Sequence, residues 1–188
     1  MASAMILGIM ALFIVVEEAV MRGDGSTDLR IKPGRIMPRT IAIWALLAVA
    51  TLPQHFGLAR AVVSAVGIDD MIRSEQDVNG AFNIPEYGTV TDPARVRAIH
   101  AYLPYQHVVP GNANPAVLMP TGANDGRVNP LQSRKSAAAL QAAPDHPILL
   151  RTSDTSGHGI GSPEADRNVE ATDQLMFLFD QLGVTLPR

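Results

Sequence analysis

The 188-residue chain has no cysteine, one tryptophan and only five histidines. Without thiols it can form neither a disulfide nor a thiolate metal site. That absence leaves the redox compartment open, because cysteine-free chains occur on both sides of a membrane. His55, His100, His107 and His146 show no His-x-x-x-His spacing, so a metal site is not expected. Charge is scarce as well: 18% of residues, a net charge of −3 and no basic stripe. Nucleic acid therefore has no electrostatic footprint to bind. Residues 1–16 are apolar and close on Glu17–Glu18. They fall short of the roughly 20 apolar residues that span a bilayer, and they lack the basic start of a signal peptide. Their ordinary reading is a buried helix or strand, with membrane attachment the lesser alternative. The compartment, cytoplasmic or periplasmic, stays open.

What is present is core-forming material. Apolar residues make up 47% of the chain, enough for one domain with a real core. Residues 1–38 begin apolar and run into the turn formers Gly23–Asp24–Gly25–Ser26 and Lys32–Pro33–Gly34. Beyond them, short β-branched or apolar runs alternate with helical patterns. Strands are predicted at residues 40–43, 61–66, 116–119 and 148–150. Helices are predicted at residues 45–52, 93–102, 130–143 and 164–182, and a polar helical or loop segment begins at 69–74. Leu131, Ala138 and Leu140 are the expected core residues of the third helix. Val169, Leu175, Met176, Phe177, Leu178 and Phe179 are the expected buried face of the fourth, with Gly183 as its stop. Strands alternating with helices imply a mostly parallel sheet covered on both faces, an α/β fold.

Two loops stand out. Residues 115–119 lead into Thr121–Gly122–Ala123–Asn124–Asp125–Gly126–Arg127–Val128, and residues 147–150 lead toward Gly157–His158–Gly159. An acid past one strand and a histidine past the next is the layout of the last two members of a Ser…Asp…His triad on an α/β-hydrolase sheet. From spacing alone, an ordinary Asn-Asp-Gly turn and a loop histidine remain open. His146, between Asp145 and Pro147, reads as an exposed turn residue.

From about residue 55 onward the chain resembles the end of the catalytic domain of the prolyl oligopeptidase family. The resemblance is carried by Arg60–Ala61–Val62–Val63–Ser64, Glu86–Tyr87–Gly88–Thr89 and Ala101–Tyr102–Leu103–Pro104–Tyr105. It continues through Asn114–Pro115–Ala116–Val117–Leu118, Asn124–Asp125–Gly126–Arg127–Val128, Gln132–Ser133–Arg134–Lys135 and Gly157–His158–Gly159. It implies a partial α/β-hydrolase fold and a serine peptidase that cleaves short peptides after proline, without cofactor or metal. Asp125 matches the triad acid and His158 the base. Arg127 matches an arginine that holds a substrate carbonyl, and Val128 an apolar wall of the proline pocket. Tyr87 and Phe82 match its aromatic side. Each has a plainer rival: a surface arginine, or core aromatics. Gly126 stands where the family often has a second acid.

The nucleophile is not found. The resemblance implies a strand, a Gly-x-Ser-x-Gly elbow and a helix. Here residues 41–43 read as the strand, 45–52 as the helix, and Trp44 alone stands between them. Ser64 falls in a predicted buried strand, Ser26 lacks the second glycine, Ser156 and Ser162 flank the base, and Ser3 is near the start. The expectation is a divergent segment over residues 1–38 and a truncated peptidase domain over residues 39–188. A shifted reading frame or an internal deletion would account for it. The alternative is a catalytically dead remnant, or pseudo-enzyme, that at most binds a peptide or another protein. Expected partners are a peptide substrate or ligand, and a second copy of the chain through the open edge of an incomplete sheet.

Overall fold

The computed structural model describes residues 19–21, 27–29 and 59–184, apart from 110, 113, 143–145, 160 and 161. The predicted strand at 40–43, the helix at 45–52 and the apolar run at 1–16 lie outside the described residues. Two short strands, β1 (Ala19–Met21) and β2 (Thr27–Leu29), pair antiparallel. The sequence reading placed no strand there.

The remaining strands are β3 (Ala61–Val63), β4 (Ala116–Gly122) and β5 (Ile148–Ser153). They form a parallel sheet in the order β3-β4-β5. Among the described residues there are five α-helices: α1 (Met71–Ser74), α2 (Ile84–Tyr87), α3 (Pro93–His100), α4 (Leu131–Gln141) and α5 (Glu164–Leu182), of which α4 and α5 pack on the sheet. The expected mostly parallel α/β architecture is therefore present.

β4 is buried along its whole length, because helices cover both of its faces. Alternate side chains serve the two layers. Ala116 and Leu118 join Ala61, Val63, Phe177 and Leu178 under α5. Val117 and Met119 join Ala137, Leu140 and Ile148 under α4.

β4 runs past the predicted limit at Met119, through a proline. A proline has no N–H to give to a ladder, so a central strand normally excludes it. The carbonyl of Leu118 accepts from Ser64 and that of Pro120 from Val66, so residues 118 and 120 both turn toward β3. By Pro120, β3 has already ended at Val63. The missing N–H therefore faces β3, whose pairing with β4 ends at Val63↔Leu118, and pairing with β5 continues to Gly122↔Ser153. β3 itself is shorter than predicted and ends at Val63; the chain then turns at Val66, whose φ of 48° leaves the extended region.

Helix ends follow local chemistry. Asp92 caps α3 by accepting from the Ala94 N–H at 2.8 Å, with Pro93 in the first turn. Gly183 ends α5 at φ 68°, as expected. The predicted buried face of α5 is corrected: Phe177 and Leu178 are buried, whereas Val169, Leu175 and Met176 are exposed. An apolar residue list fixes no stripe, and only about one helical face can meet a sheet. On α4, Leu140 is buried as expected, but Leu131 and Ala138 face solvent, and Gln132, Ser133, Ser136 and Ala137 are inside.

Asp70 explains the burial of Gln132 on α4. It is 1% exposed and bonds the side chains of Arg73, Gln106 and Lys135. Its backbone N–H donates to Gln132. One carboxylate thus ties α1, α4 and the turn at Tyr105–His107 together. Burial pushes the Asp70 carboxyl up, but those donors outweigh it and hold it below the ordinary value.

Candidate active site

The acid and the histidine lie at the carboxyl edge of the sheet, each just past the end of its strand. β4 ends at Gly122 and β5 at Ser153, and these two residues are paired. Neighbouring parallel strands end side by side, so the following loops meet. Asn124 reinforces the approach: its N–H donates to the Ser156 carbonyl at 3.2 Å and its side chain to the Asp154 carbonyl at 2.6 Å.

His158 Nδ1 lies 2.8 Å from Asp125 Oδ2. An ionised carboxylate only accepts, so Nδ1 carries the proton and Nε2 carries the lone pair. Asp125 Oδ1 accepts from the backbone N–H groups of Arg127 (2.8 Å) and Val128 (2.9 Å). The Asp125 side chain is wholly buried and that of His158 is 13% exposed, so the acid is sealed while the base keeps an opening. Burial pushes the Asp125 carboxyl up. The His158 bond and the two backbone donors outweigh it and hold it below the usual carboxylate range. An imidazole held in one tautomer by a buried carboxylate can take a proton at Nε2 and keep the resulting charge paired.

Arg127 is exposed and Val128 is buried beside the acid. A Cβ at Gly126 would meet nothing within 4 Å, so the residue that departs from the family pattern is not sterically required there. Two bonds fasten this loop to the segment before α2: Asn79 donates to the Gly126 carbonyl, and Asn129 donates to Asp77 at 2.9 Å. Phe82, three residues beyond Asn79, is 70% exposed. Tyr87 packs instead against the buried cluster of Met71, Ile99 and Leu103.

Several positioning residues escaped the sequence reading. A Cβ at Gly122 would stand 2.3 Å from the Ser156 carbonyl oxygen, so only glycine lets the two loops close. Asp166, in the first turn of α5, accepts from the hydroxyls of Thr155 and Ser156 and anchors the histidine loop. A glycine closing a strand was visible as a signal; the partner of Asp166 was not. Gly159 has φ 95°, as the sharp turn after the histidine requires. Among the described residues no group of three His, Asp or Glu could hold a metal ion, and no helix is long and apolar enough to cross a membrane. His146 is exposed.

A parallel sheet with helices on both faces, and an acid and an imidazole meeting at its carboxyl edge, is the arrangement of an α/β-hydrolase domain. The chain belongs to the prolyl oligopeptidase family, whose model matches residues 44–185. It is 35% identical over 146 residues to a prolyl oligopeptidase of Omphalotus olearius, covering 75% of this chain and 20% of that protein. It is 32% identical over 142 residues to a prolyl endopeptidase of Elizabethkingia miricola, covering 74% of this chain and 20% of that one. Among solved structures, a post-proline cleaving enzyme from Rickettsia typhi superposes with a TM-score of 0.72 at 27% identity, over 76% of this chain and 20% of that one. The chain thus spans about a fifth of the length of the curated relatives it matches.

Proposed function

We propose that Asp125 and His158 are the acid and base of a serine-peptidase site, with Arg127 holding a substrate carbonyl and Val128, Phe82 and Tyr87 bordering a pocket for proline. The single observation that carries this reading is the 2.8 Å bond between His158 and a fully buried Asp125. The preference for proline rests on the names of the relatives. Tyr87 is the weakest member, since its ring serves the satellite core.

No Gly-x-Ser-x-Gly elbow occurs in the 188 residues. Ser156, closest to the base in sequence, already donates its hydroxyl to Asp166. We therefore infer that these residues by themselves do not form an acyl-enzyme, a loss on the order of a millionfold in rate. A second reading, a pseudo-enzyme that binds peptide without cleaving it, is favoured by the same absence.

The test joins a fluorophosphonate probe with NMR of the His158 ring. Expected are no labelling, and a downfield Nδ1 proton that disappears in Asp125→Asn. Labelling abolished by His158→Ala would overturn the inactivity. A His158 ring indifferent to Asp125→Asn would overturn the acid–base assignment.

A further inference from the structure

Away from the acid–base pair, on the α4 side of the sheet, lies a cavity of about 30 Å³. Its apolar lining includes Val62, Val117, Met119 and Leu140. Three polar residues also line it: Ser64, Asp69 and Ser136. They come from three different places in the fold, namely the turn after β3, the residue before the cap of α1, and the middle of α4. Each is at most 3% exposed. Yet Ser64 Oγ, Asp69 Oδ2 and Ser136 Oγ have no hydrogen-bond partner among the described residues.

Apart from the contact of Ser136 with the Asp69 carboxyl, these polar atoms have no partner, which is a costly arrangement for an empty cavity. A buried polar atom without a partner costs roughly 1–3 kcal/mol. A cavity of this size has room for about one or two waters, which need two to four polar partners. A Cβ at Gly67 would stand 3.0 Å from Asp69 Oδ1 and 3.1 Å from Ser64 Oγ, so the glycine leaves these two side chains room in the turn after β3.

We propose that Ser64, Asp69 and Ser136 form an internal water site whose carboxyl binds and releases a proton independently of the acid–base pair at the sheet edge. The occupant is water, with Asp69 as the titrating group. A bound cation is disfavoured, because the site offers one carboxylate and feels the positive charge of Lys135 from α4. The other ionisable groups facing it are Asp70, next in the chain, and Tyr105, which lines the same cavity. Burial pushes the Asp69 carboxyl up to about 6; nearby Ser136 and Lys135 pull it back in part, and Asp70 adds to the rise.

Carboxyl-carbon NMR of the aspartate-labelled full chain tests the proton. Asp69 is expected to titrate near 6, and Ser136→Ala to move it higher by removing a group that favours the ionised form. A carboxyl that titrates at the ordinary aspartate value overturns the proposal. A high-resolution crystal structure tests the water: density within hydrogen-bond reach of Asp69 and Ser136 is expected, and a dry cavity overturns it.

Discussion

Gly122 and Ser156 touch so closely that a single added carbon would separate them: a Cβ at 122 would stand 2.3 Å from the Ser156 carbonyl oxygen and 2.4 Å from that of Gly157. The contact lies between the last residue of β4 and the loop that carries His158. Neither residue takes part in the acid–base pair, yet their contact sets how near the two loops come.

Gly122→Ala should therefore push the histidine loop away from Asp125. The obstacle is backbone, not the end of a flexible side chain, so relief requires the loop itself to shift. The expected loss is roughly 1–3 kcal/mol of stability, typical of overpacking, together with loss of the downfield His158 Nδ1 proton. Thermal unfolding and NMR check both. A variant with an intact Nδ1 signal and unchanged unfolding would show that the loops close by another route.

Stability should peak on the acid side of neutrality. The carboxyls of Asp125 and Asp70 are held below their unfolded value of 3.8. Their contribution is present above that value and disappears as pH falls through their folded pKa. Asp69 has the opposite sign: raised from 3.8 to about 6, it contributes stability fully present below 3.8 and lost as pH rises through about 6. Urea midpoints followed by circular dichroism should be highest between these limits. Asp69→Asn should flatten the upper limb and Asp125→Asn should reduce the lower one; a curve unaltered by either substitution contradicts the assignment.

Removing Lys135 should be felt throughout the α4 layer. Its ammonium pairs with Asp70, which is 1% exposed, and sits 4.4 Å from the centre of the Tyr105 ring. Lys135→Met leaves Asp70 buried with Arg73 and Gln106 only, at an expected cost of about 2 kcal/mol. Adding Asp70→Asn should recover part of that loss, because the uncompensated charge is gone. A double-mutant cycle by urea denaturation measures the coupling, and a coupling under ~0.5 kcal/mol would mark the pair as no better than a surface bridge.

Apolar surface remains exposed on β5 and α5. Leu149, Leu150, Val169, Leu175 and Met176 are all more than a third exposed. The chain is expected to self-associate as its concentration rises. The double substitution Leu175→Lys and Met176→Lys should shift it toward monomer on size-exclusion chromatography with light scattering. A wild-type chain that runs as monomer at every concentration would count against this surface.

The acid and the histidine were legible in the sequence because each follows a short apolar run that reads as a strand, although β5 is buried only at Ile148. The same logic located β4, α4 and α5. Where it stopped short, the cause was context. The strand predicted over 116–119 runs on through Pro120 to Gly122, because the proline's missing N–H faces β3 while pairing with β5 continues. Leu131, Val169, Leu175 and Met176 were counted as core by type, although a helix buries only the stripe that meets its neighbour. Tyr87, which the resemblance implied for a proline pocket, also packs against the cluster around Leu103, a contact its sequence position does not show.

By itself, then, the amino-acid order determined the family, the alternation of strands and helices, and the residue types available for proton transfer. Those are properties of local pattern and of spacing along the chain. The tertiary structure alone decided that Asp125 Oδ2 meets His158 Nδ1, that Gly122 lets their loops close, and that Ser64, Asp69 and Ser136 surround one small space. These contacts join residues tens of positions apart, and their geometry depends on how parallel strands align and where their loops end, which no local pattern encodes.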